Sequence, residues 1–340
     1  MTLSGNALIM REVNTQLVRR SLKDRKQATK QQIAEDTGLS IVTVATIVQQ
    51  LLDSHEILKV EQAPSTGGRP AQQFRFNEDF AHILVLFTHE HEGKDLLHIR
   101  VANLYGECIS TGDVVLEDIR LETFESWIEA ALREYPSIQA IGFGLPGVDV
   151  DGKIILLDYP ALVGERLTEF YSRRFGLPVI FENDVNAAAA GYCTRHEMQT
   201  DAAVIYAYFP KKYPPGAGII LGGKLYKGSS NFAGEISSIP LGIDWLNPAL
   251  YRSPEQFCPA IAKVIIAMCS LLNPSAVVLH GSFLTPGSIE TIRQICAAQI
   301  PQPSVPEILL SEDFTGDYEA GLIAETLARM DPQISLIQSA

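Results

Sequence analysis

Residues 178–191, PVIFENDVNAAAAG, force an abrupt change of backbone. A short apolar run of strand character ends in Glu182-Asn183-Asp184, and a helix of small residues starts at once. A carboxylate at such a junction suits a general base or a holder of hydroxyl groups. Asp184 directly precedes the helical run, so capping that helix is a second role open to it. Around this junction, strand-like and helical runs alternate. The first set is Ile83–Phe87, Leu97–Asn103, Cys108–Val115, a helix over Thr123–Glu134, and Ala140–Phe143. A second set opens at Val179–Phe181 and continues with a helix over Val185–Tyr192, then Ala202–Phe209, Gly218–Leu221, a helix over Pro259–Leu272 and a strand Ala276–Leu279. The alternation predicts an α/β fold with mixed sheets in two similar lobes.

The first eighty residues read differently. Ile33 and Ala34 lie on a short helix, Thr37-Gly38-Leu39 stops it, and Ser40 suits the N-cap of the next. Val44, Ile47, Val48, Leu51 and Leu52 then recur at helical spacing and mark one buried face. Helix, glycine turn and helix form a helix-turn-helix unit, with a further helix upstream over Leu8–Leu22. Residues 57–77 read as strand, Gly/Pro-rich loop and strand, a wing with Gly67-Gly68-Arg69-Pro70 at its tip; a guanidinium there suits a narrow minor groove. The expected DNA contacts are Lys30, Ser40, Thr43, Thr46, Gln49 and Arg69. The outward positions Ile41, Val42, Ala45 and Thr46 are uncharged, so apolar contacts to thymine methyls are expected. A helical protein-interaction domain with a hairpin is the alternative. The boundary is expected at Asn77–Ala81, giving residues 1–80 as a DNA-binding head and 81–340 as a body.

Charge agrees with that division. The head carries 10 Lys and Arg against 9 Asp and Glu, and the body 17 against 31, within a total of −13. An acidic body with a basic head excludes indiscriminate nucleic-acid binding. Five cysteines without CxxC spacing imply a reduced, cytoplasmic chain. No signal-peptide core is expected at the N-terminus, and the apolar stretch AIAKVIIAMCSLLNPSAVVL is broken by Lys263 and Pro274, so no membrane span is expected.

Three segments of the body, AIGFGLPGVDVDGKI (140–154), FGLPVIFENDVNAAAAG (175–191) and GAGIILGGKLYKGSSNFAGEI (216–236), resemble successive signatures of the ROK family of sugar kinases and sugar-responsive repressors. The head with its GGRPA wing resembles the repressor branch of that family. The resemblance implies a two-lobed actin/hexokinase-like (ribonuclease H-like) body behind a winged helix-turn-helix. It also implies a loop Gly144-Leu145-Pro146-Gly147 beside a sugar, hydroxyl contacts from Asn183 and Asp184, and a contact from Glu235 to the anomeric end of the ring. In the family's kinases the residue matching Asp184 is the catalytic base.

The chain departs from the family in three places. Where the kinases carry Asp-x-Gly-Gly-Thr around ATP phosphates, this chain has Thr88-His89-Glu90-His91-Glu92-Gly93, with two carboxylates facing the place of the phosphates. Where the family has a zinc-binding His and three cysteines, it has Ser238 and only Cys258, so no metal and no cofactor are expected. His89, His91 and His98 are read as solvated surface histidines. Glu255 aligns loosely with a further sugar-contacting glutamate. With that wall altered, the effector is an unusual sugar, a sugar phosphate, or none. The expectation is a DNA-binding regulator, a repressor of carbohydrate genes acting on a double-stranded operator as a homodimer or homotetramer. The alternatives are a ROK-type sugar kinase and a ligand-independent regulator.

Overall fold

The computed structural model describes residues 3–60, 71–91, 94–157, 159–199 and 201–330. They divide into two compact units: a head of residues 3–82 with 102–107, and a body of residues 83–101 with 108–330.

The head contains α1 (Leu3–Arg25), β1 (Gln27–Thr29), α2 (Lys30–Thr37), α3 (Ile41–Asp53), β2 (Ile57–Lys59) and β3 (Gln73–Phe76). Thr29 caps α2 in a capping box with Gln32, and Gly38 stops it in the left-handed conformation at φ 68°. Ser40 starts α3 by accepting from Thr43 N. Val44, Ile47, Val48 and Leu51 are all buried, as their spacing predicts, and meet Val18, Leu22 and Ile33 from the other two helices. The sheet order is β1-β3-β2, with antiparallel register Ile57↔Phe76 and Gln27↔Arg75. The wing loop, Arg69 included, lies outside the described residues.

The body holds two five-stranded sheets. The first is built from β4 (His82–His91), β5 (Lys94–Ala102), β6 (Cys108–Leu116), β7 (Ile138–Leu145) and, after the hairpin β8 (Gly147–Val150) and β9 (Lys153–Leu157), β10 (Val179–Asn183). Its spatial order is β10-β7-β4-β5-β6. Helices α4 (Glu125–Glu134) and α5 (Leu167–Phe175) cover one face through Ile128, Leu167 and Tyr171. After α6 (Asp184–Arg195), the second sheet is built from β11 (Val204–Tyr208), β12 (Gly216–Leu221), β13 (Lys224–Leu225), β14 (Ala276–His280) and β15 (Glu307–Leu310), with α7 (Pro254–Leu272), α8 (Pro286–Ala297) and α9 (Phe314–Met330). Its order is β13-β12-β11-β14-β15. Numbering the strands of each lobe by succession gives 3-2-1-4-5 in both, which is the internal similarity expected of an actin/hexokinase-like body. The sequence-based division differs at one strand. Val179–Phe181 closes the first sheet, paired in parallel with β7 through Val179↔Ile141, and does not open the second.

Helix α7 is long and apolar enough to cross a membrane by length and composition, and half of it is buried. Its inward side chains Phe257, Cys258, Ile261, Val264, Ile265 and Met268 form the centre of the second lobe's core. It begins at Pro254, five residues before the expected start, and carries Pro259 inside.

Two helices join the lobes. Helix α6 lies on β11 and β12, whereas α9 lies on β7 of the first sheet, and the two pack closely on each other. Their contact admits no side chain at two points. A Cβ on Gly191 would sit 1.8 Å from the Asp317 carbonyl oxygen, and one on Gly321 would sit 1.8 Å from that of Ala187. Both obstacles are backbone, so a methyl group requires the helices to separate. Gly191→Ala or Gly321→Ala is therefore expected to destabilise the body by about 3 kcal/mol. Gly112→Ala, whose Cβ would meet only Ile99 at 4.0 Å, is the neutral control. Urea unfolding midpoints check this, and equal midpoints for all three variants would refute a tight crossing.

Candidate functional site

The three polar residues at the end of β10 serve three purposes. Glu182 points inward, 3% exposed, and pairs with Lys227 Nζ at 2.5 Å. Its Oε1 also accepts from Asn183 N at 3.0 Å. Burial still pushes the Glu182 carboxyl above the usual range, against the pull of Lys227. Asn183 is the cap of α6: its Oδ1 accepts from Val185 N at 2.9 Å and Asn186 N at 3.0 Å. Its Nδ2 donates to the Gly147 carbonyl at 3.1 Å, tying the cap to β8. Asp184 is thus the first residue of the helix, relieved of capping, and its side chain lines a cavity. The capping reading of Asp184 is corrected on that ground.

That cavity, about 230 Å³, lies between the two sheets' hairpins. Pro146, Gly147 and Val148 form one side, Asn183 and Asp184 another, and Asn231 to Glu235 with Ser237 and Ser238 a third. Burial raises the Glu235 carboxyl. The loop carrying Glu235 is held by Lys227 on Glu182 and by Asn231, whose Nδ2 donates to the Asp149 carbonyl at 2.7 Å. Gly234, at φ 99°, brings that loop so close to Ala217 that a Cβ would lie 1.9 Å from its carbonyl oxygen. Of the sequence-predicted sugar contacts, Pro146, Asn183, Asp184 and Glu235 come together here. Gly144 does not. It is the last residue but one of β7, before a buried Leu145, and a Cβ there would strike the Tyr318 hydroxyl at 2.4 Å. Gly144 makes room for α9 rather than for a ligand.

Several lining residues escaped the sequence reading. Tyr159, 8% exposed, donates to Thr88 Oγ1 at 2.9 Å and approaches Asp95 at 3.4 Å. Strands β4 and β5 contribute Thr88, His89 and Asp95, and the corresponding pair, β11 and the hairpin after it, contributes Tyr208, Pro210, Tyr213, Pro214 and Pro215. No spacing marks Tyr159, but the internal repeat marks the second hairpin, because each follows the first strand of its lobe. Beside them an aromatic group forms: Phe314 stacks on Tyr208 at 4.3 Å and meets His89 and His280 at 5.3 Å each. Burial lowers the pKa of His280, whose Nδ1 donates to Ser311 O at 2.8 Å.

His98 overturns the expectation of solvated histidines. It is 7% exposed, bonds Asp113 Oδ1 at 2.7 Å and stacks on Phe87 at 4.6 Å. Among the described residues no group of three His, Cys, Asp or Glu is placed to hold a metal. Cys258 is buried in α7 and donates to the Ser288 carbonyl, and Ser238 is exposed at the cavity rim. The side chains of Glu90, His91 and Glu92 lie outside the described residues.

In the head, the predicted DNA contacts gather on and around α3. Ser40 caps the helix through Thr43 N at 3.1 Å, and its hydroxyl bonds Thr43 Oγ1 at 2.8 Å. Thr46 Oγ1 donates to Val42 O, Gln49 Nε2 donates to Asp53 Oδ1 at 2.7 Å, and the Lys30 ammonium lies 5.7 Å over the Phe74 ring. Ile41 and Val42 are 49% and 72% exposed. Arg19, Arg25 and Arg75 are paired with Glu56, Asp36 and Glu78. Much of the head's positive charge is therefore internally balanced, and the exposed face of α3 is apolar and hydroxylic.

A ROK family model matches residues 100–248. The xylose repressor of Caldicellulosiruptor bescii is 27% identical over 243 residues, 68% of this chain and 59% of that protein. The DNA-binding transcriptional dual regulator NagC of Escherichia coli (strain K12) is 27% identical over 249 residues, 70% of this chain and 60% of that protein. The chain spans about three fifths of the length of these curated relatives. Among solved structures, a ROK family transcriptional regulator, homolog of the E. coli MLC protein, superposes with a TM-score of 0.70 at 17% identity over 94% of this chain and 97% of that one. A ROK hexokinase from Thermus thermophilus does so with a TM-score of 0.57 at 19% identity over 73% and 99%. The fold is the actin/hexokinase-like one.

Removing Lys227 tests the anchoring of the cavity. Lys227→Met leaves Glu182 buried without its partner and is expected to cost about 3 kcal/mol at neutral pH. A carboxyl whose folded pKa is raised destabilises above its unfolded pKa, and the penalty fades as pH falls and the group protonates. The variant's deficit in urea midpoint should thus shrink between pH 7 and pH 5, and adding Glu182→Gln should recover most of it. A pH-independent deficit would refute the assignment.

Proposed function

We propose that this chain, which carries a ROK family domain, is a DNA-binding transcriptional regulator, a repressor of carbohydrate catabolism or transport genes whose operator affinity responds to a sugar bound in the body. The observation that carries the reading is the coexistence in one chain of a capped helix-turn-helix head and a cavity where Asp184, Glu235 and Asn183 converge. Adjacent hydroxyls of a sugar ring match a carboxylate that accepts two of them. The relatives are named as repressors and regulators, which supports the same reading.

The head meets the major groove with α3. Thr43, Thr46 and Gln49 are its polar readers, Ile41, Val42 and Ala45 contact thymine methyls, and Lys30 and Arg69 serve phosphates and the minor groove. Palindromic recognition makes a homodimer the minimum assembly. Sugar held between the walls of the cavity favours one closure of the lobes, and the two closures differ in operator affinity. A tenfold change requires about 1.4 kcal/mol of differential binding.

A kinase reading is disfavoured by the cavity wall. Phosphoryl transfer needs backbone N–H groups and cations around the phosphates. Pro210, Pro214 and Pro215 in the hairpin after β11 have no N–H, and the opposite hairpin presents Thr88 and His89 beside Phe314. Asp184 stands where a base belongs, next to a wall whose described lining residues include three prolines and no Lys or Arg.

Selection of the full chain against a random-sequence duplex pool, followed by band-shift titration of the enriched sequence at moderate salt, tests the reading. A specific complex is expected. Gln49→Ala should weaken it by about 1–3 kcal/mol, and Val42→Glu should abolish it while circular dichroism stays unchanged. Failure to enrich any sequence, or turnover of ATP with hexoses that Asp184→Asn abolishes, would overturn it.

A further inference from the structure

We infer that the cavity takes an unphosphorylated monosaccharide, neutral or amine-bearing, and rejects sugar phosphates. The inference rests on the reading of the cavity as the effector site and adds the chemical class of the effector.

Among the described residues, the charged groups lining the cavity are three carboxylates: Asp95 on β5, Asp184 on α6 and Glu235 on the loop before Ser237. No Lys or Arg is among the described lining residues. His89 is the one basic side chain there, and its ring packs against Phe314 at 5.3 Å. Lys227, the cation of the adjoining loop, pairs with Glu182. Lys212 leans over the Tyr213 ring at 5.0 Å and does not line the cavity.

Proteins hold phosphate esters with cationic side chains or with free backbone N–H groups at helix starts and turns. The second device is reduced here. The helix start that faces the cavity is that of α6, and the N–H groups of Val185 and Asn186 already donate to Asn183 Oδ1. Among the other turns that line the cavity, four positions, Pro146, Pro210, Pro214 and Pro215, carry no N–H, so the charge of the lining carries the argument. A phosphate dianion would meet three carboxylates, in a partly desolvated space where Coulombic repulsion is several times stronger than in water.

The same lining favours donors. The carboxylates accept only, and hydroxyls or an ammonium group supply what they lack. A volume of about 230 Å³ is below the range of drug-sized pockets and suits one ring.

Titration calorimetry on the full chain at low salt tests this, with xylose, glucose, glucosamine and N-acetylglucosamine each set beside its own phosphate ester. At least one parent sugar is expected to bind, with its ester on the order of 100-fold weaker or undetectable. Raising the salt, or Asp95→Asn, should narrow that ratio by about tenfold, since both reduce the repulsion while an amide oxygen at position 95 still accepts a hydroxyl. An ester that binds as tightly as its parent or more tightly overturns the inference and leaves the effector reading standing. Binding of no member of the panel, with operator binding intact, overturns the effector reading itself and leaves a ligand-independent regulator.

Discussion

The crossing of α6 and α9 is the contact on which the rest of the body depends. One helix lies on the second sheet and the other on the first, so their separation sets the relation of the lobes. Two glycines let the backbones approach until no Cβ fits between them. The first turn of α9 is then fixed by Asp317, 1% exposed, which accepts from Arg195 of α6, Tyr206 of β11 and Ser311 beyond β15. A buried carboxylate with three donors is satisfied, and it ties both helices to one sheet. The alanine run 187–190 belongs to the same constraint: Ala189 lies against Gly218 of β12, where a Cβ would come within 2.5 Å of its own. Small residues on α6 are what two close neighbours require.

Asp184 is the first residue of that helix. The carboxylate that faces the cavity therefore stands on a tightly packed helix, while Glu235 stands on a loop held by the Lys227–Glu182 ion pair, by Asn231 on the Asp149 carbonyl and by the bond from Ala217 N to Gly234 O at 2.8 Å. In the proposed effector role, a ring gripped by both would join a post on a packed helix to a wall on a loop, and the free energy of that grip would bias the relation between them.

Much of the head was legible from the chain, because its elements are governed by local rules. The 3.6-residue recurrence from Val44 to Leu51, the Ser40 cap and the Gly38 stop each act within a few residues. The body's elements were legible, though not all of their partners. A five-residue strand such as Val179–Asn183 carries no signal of which sheet it joins, since parallel pairing is decided by the connections around it. A glycine in a loop signature and a glycine under a tyrosine ring look alike in sequence, so nothing around Gly144 announces Tyr318. Tyr159 was missed because a tyrosine after a strand has no period or spacing of its own. Alternation along β5 does not reveal that the bonding partner of His98, Asp113, lies on the neighbouring strand, so its burial is not legible in sequence.

The order Glu182-Asn183-Asp184 has a physical reason beyond resemblance. Strand alternation turns Glu182 into the core, where only a cation such as Lys227 can balance it. The strand then ends, and the first helical N–H groups need an acceptor, which Asn183 supplies without adding charge. That leaves the next position, at the positive end of the helix dipole, where an aspartate is stabilised as an anion. The same dipole that would steady a general base steadies an acceptor of sugar hydroxyls. What separates the two uses lies elsewhere, in the hairpin walls. With three prolines on one hairpin and an aromatic group beside the other strand pair, the proposed use of the carboxylate is to hold a ring.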